Sequence, residues 1–220
     1  MAVSLEGGCR VVALKEGAAI REGALRIWRH FDAALSLRVL ELDGTATLRN
    51  EQHDETLYVL EGEGTANGER IARDTAIDLP PRHALELRGA MTLVSSLCAA
   101  TESDRALSIT RLDDKPMQRT GDRWYRELIQ GETTQFVGAI PPSRAPDHFH
   151  LYEEVICILD GAGVMWAGET STPIGAGSCI FLPRKQRHCV ENTGPGDLRL
   201  LGVFYPAGSP AVRYPVLPNA

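Results

Sequence analysis

Five residues in the second half of the chain have types and spacing that could do chemistry: His148 and His150 flanking Phe149, then Tyr152, Glu154 and, further on, His188. On an extended strand alternate side chains share a face, so His148, His150, Tyr152 and Glu154 can point into one interior, with the two histidine Cα atoms roughly 6.6 Å apart. Imidazoles at that separation can converge on one ion. His188 follows a proline-marked turn and a strand signal in CIFLPRKQRH, so a neighbouring antiparallel strand can bring a third imidazole. Three nitrogens and one carboxylate oxygen suit first-row divalent metals, and the glutamate supplies the anionic charge that neutral imidazoles lack. The reading is one divalent transition metal per chain (Mn, Fe, Zn or Ni), held by His148, His150, Glu154 and His188. Left without an ion, such a buried set would hold costly unpaired polar groups.

These side chains must be positioned by short strands. The 220 residues carry 21 Gly and 13 Pro that punctuate short apolar runs rather than forming one block, the pattern of many strands joined by tight turns. Only Asp104 to Asp113 and Trp124 to Ile129 compete as helices, and both also fit strands. DETLYVLEGEG (Asp54 to Gly64) and EEVICILDGAG (Glu153 to Gly163) share acid, apolar run, acid and Gly-x-Gly, 99 residues apart, and Leu79-Pro80 matches Leu182-Pro183. The chain is an internal duplication of two β units. Residues 112–123 are polar, with Pro116 and Gly121 and no apolar periodicity, so the expected organisation is an N-terminal unit 1–112, a linker 113–123 and a C-terminal unit 124–220.

The motif strings extend this to a family. HFHLYEEVICILDG resembles the first cupin motif, His-x-His, three or four residues, Glu, six residues and Gly, with Gly161 in the last place. GSCIFLPRKQRHCVEN, from Gly177 to Asn192, resembles the second, with Lys185 standing where the family usually has Gly. With the duplication, the chain resembles a bicupin. The resemblance implies an all-β fold of two tandem antiparallel jelly-roll barrels and the same metal ligands in the C-terminal barrel.

The first copy departs from the motif. Aligning Glu55 on Glu154 and Pro80 on Pro183 puts Arg49 and Glu51 at the two histidine positions and Leu85 at the third. Arg49, a cation that cannot lose its proton, is expected to pair with Glu51 and Glu55 in place of a metal; the alternative is a shifted site of Glu51, His53, Glu55 and His83. The first barrel then reads as a scaffold.

Two further residues are candidates for catalysis. Tyr152 shares the inward parity of the ligands and could lie against a substrate or simply fill the barrel; Arg144 could meet an acidic substrate at the barrel mouth or be a solvated loop residue. The three tryptophans read as packing residues. Cys189 faces away from His188, and all five cysteines read as reduced, buried thiols. Val155, Cys157 and Leu159 form an apolar outward face that either the first barrel or a second chain must cover, so a homodimer is expected.

The formal net charge of −6, without a dense Lys/Arg stretch, argues against nucleic acid and anionic membranes as partners. No apolar run approaches a membrane span and the start lacks a secretory pattern, so a cytoplasmic location is expected. The expected function is a metal-dependent enzyme of dioxygenase, isomerase, decarboxylase or hydrolase type, acting on a small oxygen-rich or acidic substrate in the C-terminal barrel. The alternative is a non-catalytic module that binds a metal and a small molecule.

Overall fold

The computed structural model describes residues 2–101 and 104–215; the outer bounds of the expected units, at residues 1 and 220, lie outside the described residues. Every strand pairing within it is antiparallel, and no α-helix occurs among the described residues, only two 3-10 turns at Glu6–Gly8 and Leu112–Asp114. Among the described residues no helix is long and apolar enough to cross a membrane. The architecture is two antiparallel jelly-roll barrels in tandem.

The N-terminal barrel is one rolled sheet. Its long strands Ser36–Arg49, Ala84–Ala99 and His53–Ala66 lie side by side, flanked by Leu25–Phe31 on one side and Thr75–Leu79 on the other. Leu40, Leu57, Ile77, Leu85 and Leu87 fill its interior. The C-terminal barrel packs two sheets face to face. An eight-stranded sheet contains Glu153–Asp160 between Ser178–Leu182 and Leu198–Tyr205, and a five-stranded sheet contains His188–Asn192 between Ala162–Ala167 and His148–Phe149. Phe136, Ile156, Ile180 and Phe204 of the first sheet meet Met165 and Val190 of the second.

A third apolar layer joins the barrels. Trp28, Phe31, Val39 and Tyr58 pack against Val155, Cys157, Leu201 and Val203. The outward apolar face of Glu153–Asp160 is thus covered by the first barrel of the same chain. At roughly 25 cal/mol per Å² of apolar surface removed from water, this layer fixes the two barrels against each other. All five cysteines are free and buried.

Strand pairing runs across the expected unit boundaries. Val3–Ser4 and Arg10–Ala13 join the eight-stranded sheet of the C-terminal barrel, where Arg10–Ala13 pairs with Ser178–Leu182. Part of the expected linker, Gln118–Thr120, forms a hairpin with Arg123–Gln130 at the opposite edge of that sheet. Ser178–Leu182 is almost fully buried, and a buried strand cannot leave a row of backbone groups unpaired; the N-terminal strand, distant in sequence, supplies the partners. The linker's polarity marks an edge strand.

The repeat is preserved in register. Gly62 and Gly161 both have positive φ, 82° and 91°, and a Cβ at Gly161 would sit 2.9 Å from Leu198 Cα, so only glycine fits there. The turns after Pro80 and Pro183 place Arg82 and Lys185 in the left-handed region, at φ 68° and 63°. Lys185 therefore occupies a glycine-type conformation without being glycine, and its N–H donates to His150 O at 2.7 Å.

Candidate metal centre

His148 and His188 are direct cross-strand partners on the five-stranded sheet. Glu154 stands on the eight-stranded sheet, opposite Leu182 and Phe204. The segment from His148 to Glu154 is therefore not one continuous strand: the chain leaves the five-stranded sheet after Phe149 and enters the other at Glu153. The cluster sits at this crossing, and the barrel's closure brings its members together rather than simple alternation along a strand. One ligand atom from each of His148, His150 and His188 lies within 4.8 Å of the others. Glu154 Oε2 is 3.7 Å from both His150 Nε2 and His188 Nε2.

Hydrogen bonds fix the rings. His148 Nδ1 contacts Pro146 O at 3.0 Å, His150 Nδ1 contacts Val212 O at 3.1 Å and His188 Nδ1 contacts Gln186 O at 2.8 Å. A carbonyl only accepts, so each Nδ1 carries the proton and each Nε2 presents a lone pair. Burial holds all three rings neutral, with pKa lowered to about 4 for His148 and to about 3 for His150 and His188. Burial also raises Glu154 to about 8, and its Oε2 has no hydrogen-bond partner. Neutral imidazoles with free Nε2 atoms beside an orphaned carboxylate oxygen form a donor set that fits a divalent transition metal.

The other candidates fall elsewhere. Tyr152 is buried, stacks on His150 at 4.9 Å and donates its hydroxyl to Ser209 O (3.0 Å), with Val212 O at 3.3 Å; it braces the segment after Tyr205 against the His150 ring. Arg144 lies over the Trp166 ring at 4.3 Å, 3.4 Å from Asp147, on the outside of the barrel. In the first barrel, among the described residues, Arg49 pairs with the exposed Glu51, at 2.7 Å, and not with Glu55. Arg38 takes the expected role, donating to Glu55 at 2.6 Å. Glu51 and His53 are exposed, so the shifted set does not assemble.

A cavity of about 100 Å³ opens beside the histidines, lined by His148, His150, Glu154 and His188 together with Arg123 and Arg213. The two arginines were not singled out from the sequence. Arg123 lies in the expected linker and Arg213 in a C-terminal stretch without periodicity, and residues 90 positions apart carry no local signal of their meeting. The rest of the wall is mainly apolar, including Trp124, Phe136, Ile140 and Val190.

Comparison with known proteins accords with this geometry. Residues 136–204 match the cupin domain family. Auxin-binding protein 1 of Arabidopsis thaliana is 39% identical over 73 residues, 29% of this chain and 37% of that protein, so the chain spans little more than a third of that relative's length. Among solved structures, a putative glyoxylate-induced protein from Pseudomonas aeruginosa superposes with a TM-score of 0.78 at 16% identity, over 92% of this chain and 90% of that one. Oxalate decarboxylase of Bacillus subtilis, a protein with Mn(II) centres, gives a TM-score of 0.71 at 10% identity, over 90% and 78% of the two chains. At these identities the structural likeness establishes the fold.

Proposed function

We propose that the chain is a bicupin metalloenzyme that acts on a small oxygen-rich molecule in its C-terminal barrel, with His148, His150, His188 and Glu154 as the metal ligands and the N-terminal barrel as scaffold. The observation that carries this reading is the orientation of the three rings: each Nδ1–H is bound to a backbone carbonyl, one ligand atom of each ring lies within 4.8 Å of the others, and Nε2 of His150 and of His188 stands 3.7 Å from Oε2 of Glu154. A bound divalent ion would supply Lewis-acid polarisation of substrate oxygens and, if iron or manganese, redox capacity. The chain's own residues hold the rings in the binding tautomer, provide one anionic ligand and surround the centre with apolar wall that excludes bulk water. Whether the reaction is of dioxygenase, isomerase, decarboxylase or hydrolase type then follows from the ion. The Mn(II) centres of the Bacillus subtilis oxalate decarboxylase, similar in fold, favour manganese as the first ion to try.

A second reading, a binding module without catalysis, is favoured by one feature. Apart from those four ligands, the described cavity lining has no carboxylate or imidazole that could shuttle a proton. Elemental analysis of the purified protein, followed by a screen of small oxygenated compounds for oxygen uptake and product formation with the metal-loaded protein, separates the two. Turnover that disappears in His188→Ala supports the enzyme; metal-dependent binding of the same compounds without turnover supports the module; absence of any metal affinity overturns both.

A further inference from the structure

The mouth of the cavity has a charge pattern that the metal ligands do not explain. Arg123, the first residue of Arg123–Gln130, has a side chain only 12% exposed, and its Nε–H has no hydrogen-bond partner among the described residues. The nearest carboxylate, Asp122, stands 3.8 Å from that nitrogen, outside hydrogen-bond reach, and is itself 62% exposed. Arg213 comes from the segment after Tyr205 that crosses the cavity, held there by Val212 O on His150 and by the pairing of Tyr214–Pro215 with His148–Phe149. Its Nη2 donates to Thr120 Oγ1 at 2.8 Å, and Thr120 also lines the cavity. The two cations repel: burial first and Arg213 second lower the pKa of Arg123. Asp147, next to His148 in the chain, is engaged with Arg187 at 2.6 Å and Arg144 at 3.4 Å.

Two guanidiniums in a largely apolar cavity, facing one carboxylate that is directed at the histidines, are an unbalanced arrangement. The counter-ion of Arg123 is the exposed Asp122 at 3.8 Å, and burying a cation so weakly compensated is costly. An anion entering with a ligand would restore the balance, and the planar fork of arginine matches a carboxylate in two parallel hydrogen bonds. The volume limits the rest. About 100 Å³ is smaller than the ~150 Å³ that takes a benzene ring, and the apolar wall suits a short hydrocarbon body better than a sugar.

We propose that Arg123 and Arg213 form an anion clamp, and that the ligand of the C-terminal cavity is a short-chain carboxylate whose charged end is held by the arginines while its body lies against Phe136 and Val190. This deepens the proposed function and rests on its identification of the cavity as the working site, but the clamp is built from residues that are not metal ligands and can be tested apart from the metal. Propanoate and its neutral isostere propanamide serve as probes, titrated calorimetrically into chelator-stripped and manganese-loaded protein, with inorganic phosphate as a third ligand. The expected result is propanoate binding at least roughly tenfold tighter than propanamide in the stripped protein. Arg123→Gln and Arg213→Gln should each weaken propanoate roughly 10- to 100-fold, the range for hydrogen bonds to a charged group, while manganese uptake and melting temperature stay at the wild-type level. His188→Ala should lose manganese yet keep the preference for propanoate over propanamide. Should no form take up manganese while the arginine variants still lose propanoate, the metal reading fails and the clamp stands. Equal affinity for the acid and the amide in the wild type, phosphate binding tighter than propanoate, or unchanged propanoate affinity in both arginine variants would overturn the clamp.

Discussion

Glu55 and Glu154 occupy the same place in their barrels. Glu55 is paired across to Leu79 and Leu97, and Glu154 to Leu182 and Phe204. Both are buried, at 0% and 5% exposure. Around Glu55 the chain has supplied every partner: Arg38 at 2.6 Å, Asn50 at 2.5 Å and Ser95 at 2.5 Å all donate to it. Around Glu154 it has supplied none for Oε2, and has instead arranged three imidazoles with lone pairs toward the same space. A buried carboxylate has to be satisfied by something. In the first barrel that something is internal; in the second no hydrogen bond from the described residues reaches Oε2.

The comparison can be broken or sharpened in order of expected effect. His188→Ala removes a ligand outright and should lower metal affinity more than about 100-fold, beyond the range for changes in the groups that merely orient a ligand. His53→Ala, exposed in the first barrel, should leave metal binding unchanged. Equal metal content in the two variants, read by elemental analysis after dialysis against a chelator, would erase the distinction between the barrels.

The two glutamates should respond in opposite ways to neutralisation. Glu55→Ala leaves Arg38 half-buried without its counter-ion and should destabilise by about 3 kcal/mol, the lower end for broken buried pairs because Arg38 is partly solvated. In metal-free protein Glu154→Gln should be neutral or stabilising, since no partner is lost. Urea denaturation of both variants with metal absent tests this, and a large loss for Glu154→Gln would show that the second site is satisfied internally after all.

A pH profile sharpens the contrast further. In metal-free protein the histidines of the second barrel titrate at about 3 to 4 when folded and near 6.5 when unfolded. The unfolded chain then binds more protons between those values, and stability rises with pH across them. Glu154 does the reverse: titrating at about 8 when folded and about 4.3 when unfolded, it holds a proton the unfolded chain has lost, and stability falls as pH rises from about 4.3 to 8. Three histidines outweigh one glutamate below about pH 6.5, and above it only the decline remains. The melting temperature of the metal-free wild type relative to Glu154→Gln should therefore fall between about pH 6.5 and 8, and metal loading should abolish that fall. A flat difference would place Glu154 outside a dry site.

The smallest effect is one the barrels share. Lys185→Gly and Arg82→Gly relieve left-handed backbone that costs a non-glycine residue roughly 1–2 kcal/mol, offset in part by the extra freedom of glycine in the unfolded chain. Each should gain up to about 1 kcal/mol in thermal or denaturant unfolding. A gain in one barrel only would mean that the matching turns are unequal in strain.

Much of this protein is legible in its residue order because the determining interactions are local or periodic. Short apolar runs cut by glycine and proline specify strands; the repeat of Gly62 in Gly161 marks a turn whose conformation and crowding exclude a side chain; the types of His148, His150, Glu154 and His188 name a candidate metal-ligand set. The same reading assigned Glu55 to Arg49, because the repeat alignment puts Arg49 at a histidine-ligand position, whereas the fold gives it to Arg38 on a neighbouring part of the sheet. Alternation along one strand was also the wrong reason for the histidines and Glu154 to meet, since the chain changes sheets between them. The placement of Arg10–Ala13 in the second barrel, the covering of Val155 and Cys157 by Trp28 and Tyr58, and the approach of Arg123 to Arg213 all depend on pairings between segments with no shared periodicity. Residue type and spacing determined the kind of site, because ligand chemistry and turn conformation are properties of a few neighbouring residues. Which charges stand around the site was decided only by tertiary structure, because closing a barrel brings distant edges together and any polar side chain at the right edge can serve there.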